Sequence, residues 1–271
     1  MTAKFVKKEE AKKGLTENET LAAKSLEMLK ETLQNESKEI IDCFLPIKIL
    51  ELNAMYTKIM RNNTSIQKKC TQVSVILTKN NTNNNQQNVI NDGKEAKFRT
   101  KKKKRKRTKK GKKEWKTQIE SLFNEIKTEL KSIQDEIEPE VLTFMDILDK
   151  VILFINLQMP QIEDGNNFGV VVQEEVKKII SDASASAYSF LREIPKYFVQ
   201  RSEIETKLSK YPNLRDYFKV LTDLDSKQAL LLTHTVKDLR NNYFIIFDII
   251  QKNYQKIIQP KGQKLATMSL Y

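Results

Sequence analysis

Three side chains in this sequence offer an imidazole or a thiol for nucleophilic or metal-based chemistry near neutral pH: His234, Cys43 and Cys70. One histidine cannot build a His-based metal site, and two cysteines build neither a zinc ribbon nor a disulfide framework. A Ser-His-Asp or Cys-His arrangement would have to use His234. That residue lies inside a helical apolar pattern with no motif around it, so it is read as structural, and the cysteines as ordinary reduced thiols. The composition argues against most enzyme classes. No catalytic residue, metal or cofactor is expected.

A second kind of chemistry is electrostatic. The 271 residues carry 48 Lys and Arg against 35 Asp and Glu, a net charge of +13. Residues 97–116 hold 14 of the basic residues and one acidic residue, Glu114, which leaves 34 of each sign elsewhere. The protein is a neutral body with one basic segment. Its densest part, Lys101, Lys102, Lys103, Lys104, Arg105, Lys106 and Arg107, is a candidate nuclear-import signal. The alternatives for this run are a solvated disordered loop, because like charges repel, and nonspecific contact with nucleic acid. The last is disfavoured because few aromatics interleave to stack on bases.

The elements that carry these residues are helical. Gly and Pro number only six each, too few for an all-β fold with its frequent turns. Residues 1–16 are charged and read as disordered. Residues 17–61 form a first helix with the stripe Leu21, Leu26, Leu29, Leu33, Ile41, Phe44, Leu52 and Tyr56, kinked by Pro46. Residues 62–113 read as a disordered linker, Asn-rich from Asn80 to Asn91 and then basic. It lacks an apolar face that could offset its ordering entropy, and Val73, Val75, Ile76 and Leu77 are read as a sticky loop in preference to a strand. Residues 114–262 carry three more helices. The second starts near Trp115 and ends before Pro160. The third spans about Val170 to Gln200, and the fourth follows Tyr211-Pro212 and stops at Pro260. Short connections at 160–169 and 201–212 make the fold an all-α, long antiparallel four-helix bundle. Residues 263–271 are left as a tail. Nearly every residue from Tyr243 to Ile250 is apolar, more than one bundle face can bury, so another chain is expected to cover part of it.

The connection Ile162, Glu163, Asp164, Gly165, Asn166, Asn167, Phe168 and Gly169 reads by itself as an ordinary turn, with Gly and Asn tolerating left-handed backbone. The eight residues, followed by Val170-Val171-Val172-Gln173-Glu174-Glu175, closely resemble the activation loop of the REG or 11S proteasome activators. The resemblance continues through Lys196-Tyr197-Phe198, Leu239-Arg240-Asn241-Asn242-Tyr243 and Pro260-Lys261-Gly262 to the terminal Tyr271. It is also visible in Phe44-Leu45-Pro46-Ile47-Lys48 of the first helix. Gln161 departs from the Arg usual before the loop, and the linker lacks the alternating Lys and Glu of many relatives.

The resemblance implies a non-enzymatic, ATP-independent activator of the 20S proteasome. Its four-helix subunits would form a homo-heptameric ring on the α-ring of the core particle. The docking tail would be Met268, Ser269, Leu270 and Tyr271, its carboxylate captured in a pocket. Multiple tails bind by avidity, which can exceed single-site affinity by about 10²–10⁴. Loop 162–169 would then hold the gate open and stimulate peptide hydrolysis. The charged start has no signal-peptide core and no stretch approaches a membrane span, so cytoplasm and nucleus are the expected locations. The rival reading is a nuclear helical scaffold that contacts nucleic acid through 97–116.

Overall fold

Scarce helix breakers give few, long helices. The computed structural model describes the backbone of residues 2–89, 98–161, 165 and 167–261, and the side chains within 20–79, 114–161, 165 and 167–261. The elements are α1 (Thr2–Glu39), a five-residue π-helical turn (Ile40–Phe44), α2 (Leu45–Val89), α3 (Phe98–Leu157), α4 (Phe168–Lys210) and α5 (Arg215–Ile258). No strand occurs among the described residues. None of their helices is long and apolar enough to cross a membrane.

The π turn explains how the first helix passes Pro46. A proline inside an α-helix lacks the N–H that its neighbours use, and its ring collides with the carbonyl four residues back. Here the turn just before it is widened, and the Leu45 N–H donates to the Ile40 carbonyl five residues earlier. The expected kink is thus a π-bulge.

Three sequence boundaries are corrected. Helical backbone begins at Thr2, whereas the charged sequence of 1–16 reads as disordered; Ala, Lys and Glu, all strong helix formers, dominate that segment. The linker expected over 62–113 is mostly helical backbone, since α2 runs to Val89 and α3 starts at Phe98. Ile59, Ile66, Cys70 and Val73 are buried at spacings of seven, four and three, so the segment read as a sticky loop carries a helical core face. Finally, α4 continues through Pro195 and past Gln200 to Lys210. In the other direction, Leu21, Leu26 and Leu29, expected in the core, are exposed.

The chain divides into two compact units. One comprises Met1–Leu50, Thr143–Ala185 and Asn241–Tyr271, the other Glu51–Leu142 and Ser186–Arg240. In the second unit, cross-links fix an antiparallel register. Lys58 pairs with Glu136 at 2.6 Å and Lys69 with Glu129 at 2.5 Å, linking α2 to α3. The Gln67 amide donates to the Ser226 carbonyl and Arg240 to Asn53, linking α2 to α5. Its core includes Ile119, Ile126, Leu130, Leu221 and Leu232. In the first unit, the Ser37 hydroxyl lies 3.3 Å from the Lys150 carbonyl, and the rings of Phe144 and Tyr243 are 4.6 Å apart.

The apolar run on α5 behaves as its sequence requires. Tyr243, Ile246 and Ile250 are buried, whereas Phe244 and Ile245 are 57% and 50% exposed. Phe247, which the sequence alone does not separate from Phe244 as an outward residue, is half-buried.

Candidate functional site

The loop expected to carry function lies between two helix ends, where backbone carbonyls and N–H groups lack intrahelical partners. After α3 the chain tightens, with Gln158 N–H donating to Ile155 O at 3.1 Å and Met159 N–H to Asn156 O at 3.2 Å. The Asn167 carbonyl then opens α4 by accepting from Val170 and Val171 at 3.0 and 3.1 Å. Gly165 has φ +129°, a conformation that side chains with a Cβ resist. Gly165, Asn167, Phe168 and Gly169 are therefore placed. Ile162, Glu163, Asp164 and Asn166 lie outside the described residues, as do Met268, Ser269, Leu270 and Tyr271 of the tail. Lys101 to Arg107 are described only as helical backbone of α3.

The second helix of the site is α5, whose end leads into the tail. The two meet at backbone level. A Cβ on Gly169 would sit 2.1 Å from the Pro260 carbonyl oxygen and 2.5 Å from its Cα, so only glycine permits this approach. Around that contact, the Lys256 ammonium lies 4.7 Å from the centre of the Phe168 ring, and the Lys261 ammonium donates to the Gln161 carbonyl at 3.1 Å.

Beneath the loop, Gln173 is fully buried. Its Nε2 donates to Ile257 O at 2.6 Å and to Gln158 O at 3.3 Å. Both partners are acceptors, which fixes the amide orientation. One side chain of α4 thus satisfies carbonyls at the C-terminal ends of both α3 and α5. The sequence reading missed this role. The available signal was a polar residue three and seven positions before Val176 and Ile180, on the buried stripe of α4.

A different buried polar cluster sits in the other unit. Arg201 clamps Asp225 with Nε to Oδ1 at 3.0 Å and Nη2 to Oδ2 at 3.1 Å. It also donates to Phe123 O at 3.2 Å and to Glu205. The Tyr197 hydroxyl donates to Asp225 Oδ1 at 2.9 Å. Burial raises the Asp225 carboxyl above the ordinary carboxylate value, against the pull of Arg201. Burial and the Asp225 charge raise the Tyr197 phenol. This cluster is closed off by its own partners and contributes structure rather than a reacting group.

Of the three residues with catalytic chemistry, none is brought into a catalytic arrangement among the described residues. His234 is exposed on an open groove of about 510 Å³, where Glu193 and Lys196 pair with each other at 2.5 Å. Cys70 is buried beside Thr222 O at 3.8 Å, and burial pushes its thiol up to about 12. Cys43 is exposed in the π turn. No group of three or more His, Cys, Asp and Glu among the described residues could hold a metal ion.

Known proteins resemble parts of the chain. Proteasome activator complex subunit 3 of Homo sapiens is 36% identical over 118 residues, 44% of this chain and 46% of that protein. The Gallus gallus protein of the same name matches to the same extent. The matched region spans under half the length of these curated relatives. Among solved structures, the 11S subunit of the Plasmodium falciparum proteasome, PA28, is 37% identical with a TM-score of 0.47, covering 51% of this chain and 57% of its own. An archaeal 20S proteasome in complex with a mutated P26 activator gives 16% identity and a TM-score of 0.49, covering 86% and 94%. The family described as proteasome activator PA28, C-terminal, matches residues 123–267; the chain contributes more than half its length to that match and belongs to this family.

Proposed function

We propose that this chain is a subunit of an ATP-independent activator of the 20S proteasome that performs no catalysis itself. One observation carries the reading: the matched loop and the root of the C-terminal tail share one end of their unit, joined through Gly169 against Pro260 and through Gln173. A surface that anchors by its tail and acts by its loop needs both elements on one side. Tail residues Met268, Ser269, Leu270 and Tyr271 dock on the α-ring, and loop 162–169 bears on the gate and holds it open for peptides.

Assembly is part of this proposal. Single tail peptides bind weakly, whereas a ring of seven copies multiplies them. Phe244 and Ile245, exposed on α5, supply apolar surface that a neighbouring copy covers. Lys101 to Arg107 direct a share of the protein to the nucleus, the rest remaining in the cytoplasm. Contact between the basic run 97–116 and nucleic acid is the weaker rival.

The test is hydrolysis of a short fluorogenic peptide by purified 20S core particles without ATP, with the mass of the added assembly measured in parallel. A several-fold rise in hydrolysis with an assembly near seven chains is expected. No stimulation together with salt-sensitive DNA binding would replace this function by the nucleic-acid reading.

A further inference from the structure

We infer that Gln173 is a positioning residue that locks the loop and the root of the tail into one block, so that tail docking sets the loop's height over its target. The inference rests on the proposed function, because it assigns a task within the same docking end.

Helix C-termini leave carbonyls without intrahelical partners, and such ends fray unless something satisfies them. Gln158 lies just beyond α3, at the start of the chain that forms the loop, and Ile257 lies in the last turn of α5, four residues before the tail root at Lys261. Nε2 of Gln173 has two hydrogens and spends one on each carbonyl. Its own helix, α4, begins where the loop ends. The side chain therefore holds the chain before the loop, the chain after it and the helix that leads to the tail. Fully buried, it faces no competition from bulk water. No isosteric replacement keeps both bonds: Glu presents acceptors to acceptors, and Met presents no donor.

The Gly169–Pro260 approach is the backbone counterpart of this lock. The three nearest neighbours of a Cβ at Gly169 would be backbone atoms of Pro260, which cannot swing aside as a side chain does. The chain that leads into the tail is thus held at Pro260, and any pull on the tail is delivered beside the loop rather than along α5 alone. Lys256 against Phe168 and Lys261 on the Gln161 carbonyl repeat the connection at the surface.

The test compares wild type, Gln173→Met and Gly169→Ala in the full chain. For each, the assembly mass, the concentration giving half-maximal stimulation of 20S peptide hydrolysis and the maximal stimulation are measured. Amide hydrogen exchange is followed over 158–169 and 257–261. A buried acceptor left unpaired shifts a local equilibrium by about fivefold or more. Gln173→Met should keep its assembly mass and its half-maximal concentration within about twofold, lose about fivefold or more of the maximal stimulation, and exchange faster in both segments together. Gly169→Ala, which keeps the amide but pushes Pro260 away, should reproduce the loss of maximal stimulation; it decides the matter if Gln173→Met does not assemble. Unchanged maximal stimulation, or faster exchange in one segment alone, would overturn the lock. If wild type itself fails to stimulate, the proposed function fails, and the exchange arm still decides whether Gln173 couples the two segments.

Discussion

The two units each bury a polar cluster, and the clusters solve opposite problems. Arg201 and Asp225 are full charges placed inside α4 and α5, more than two turns from the nearest helix end. Their removal from water is costly, and a bidentate ion pair with Tyr197 and Phe123 O attached is what makes it tolerable. Gln173 is neutral and sits among helix ends, where the groups needing partners are the backbone's own. The first cluster fixes which helices lie together and in what register. The second fixes where helices stop, and therefore where the loop and tail begin. Charges suit the former, because a mispaired charge penalises every wrong register. A neutral double donor suits the latter, because it satisfies carbonyls without drawing water or counter-ions to the docking end.

Breaking the charged cluster should produce the largest effect on stability. Asp225→Ala leaves Arg201 buried with its bidentate partner gone, and should destabilise the fold by about 3–5 kcal/mol. Urea unfolding followed by circular dichroism checks this, and a loss under about 1 kcal/mol would show that Glu205 and Phe123 O suffice for Arg201. The contrast sharpens with Gln173→Met. It removes a neutral group, so it should cost about 1–3 kcal/mol in the same unfolding experiment while acting chiefly on stimulation. If it destabilised the fold as much as Asp225→Ala, the division between a structural and a positioning cluster would collapse.

Tyr197→Phe tests the edge of the charged cluster. It deletes one of the hydrogen bonds on Asp225 and leaves the Arg201 clamp, and about 1 kcal/mol of lost stability is expected. The smallest effect concerns the thiols. Burial raises the Cys70 pKa to about 12, so at pH 8 this thiol stays protonated, and only a rise of pH toward that value makes it a thiolate. A disulfide reagent at pH 8 should label one thiol per native chain, the exposed Cys43, and both in denaturant. Rapid labelling of two thiols in the native protein would show that α2 opens at Cys70.

Particular residues show what a sequence can and cannot reveal here. The apolar stripes of α3, α4 and α5 were legible because Ile126, Leu130, Ile180 and Ile246 recur at helical spacing and are buried where that spacing puts them. The break between α3 and α4 was legible because Pro160 and Gly165 interrupt the helical pattern. The length of α2 was not, because the Asn-rich composition after Lys79 obscured the buried face of Ile66, Cys70 and Val73. Gln173, Arg201 and Asp225 were missed for a common reason. Periodicity counts apolar residues, and a polar residue at a buried register position reads as a gap until its partners on other helices are known.

Assembly and docking should also separate by mutation. Phe244→Asp places a charge on the exposed apolar face of α5 and should lower the assembly mass while leaving helix content unchanged. Native mass measurement checks this; an intact assembly would move the subunit contact elsewhere.

The most direct measurement concerns Asn166→Tyr, assayed with 20S core particles beside wild type and a variant lacking Ser269–Tyr271. Binding to the core and stimulation of peptide hydrolysis are read in the same samples. If the tail anchors and the loop acts, Asn166→Tyr should bind the core, fail to stimulate and suppress wild-type stimulation when added in excess. The truncated variant should fail to bind at all. Full stimulation by Asn166→Tyr, or loss of its binding in step with its activity, would contradict the assignment of gate opening to the loop and anchoring to the tail.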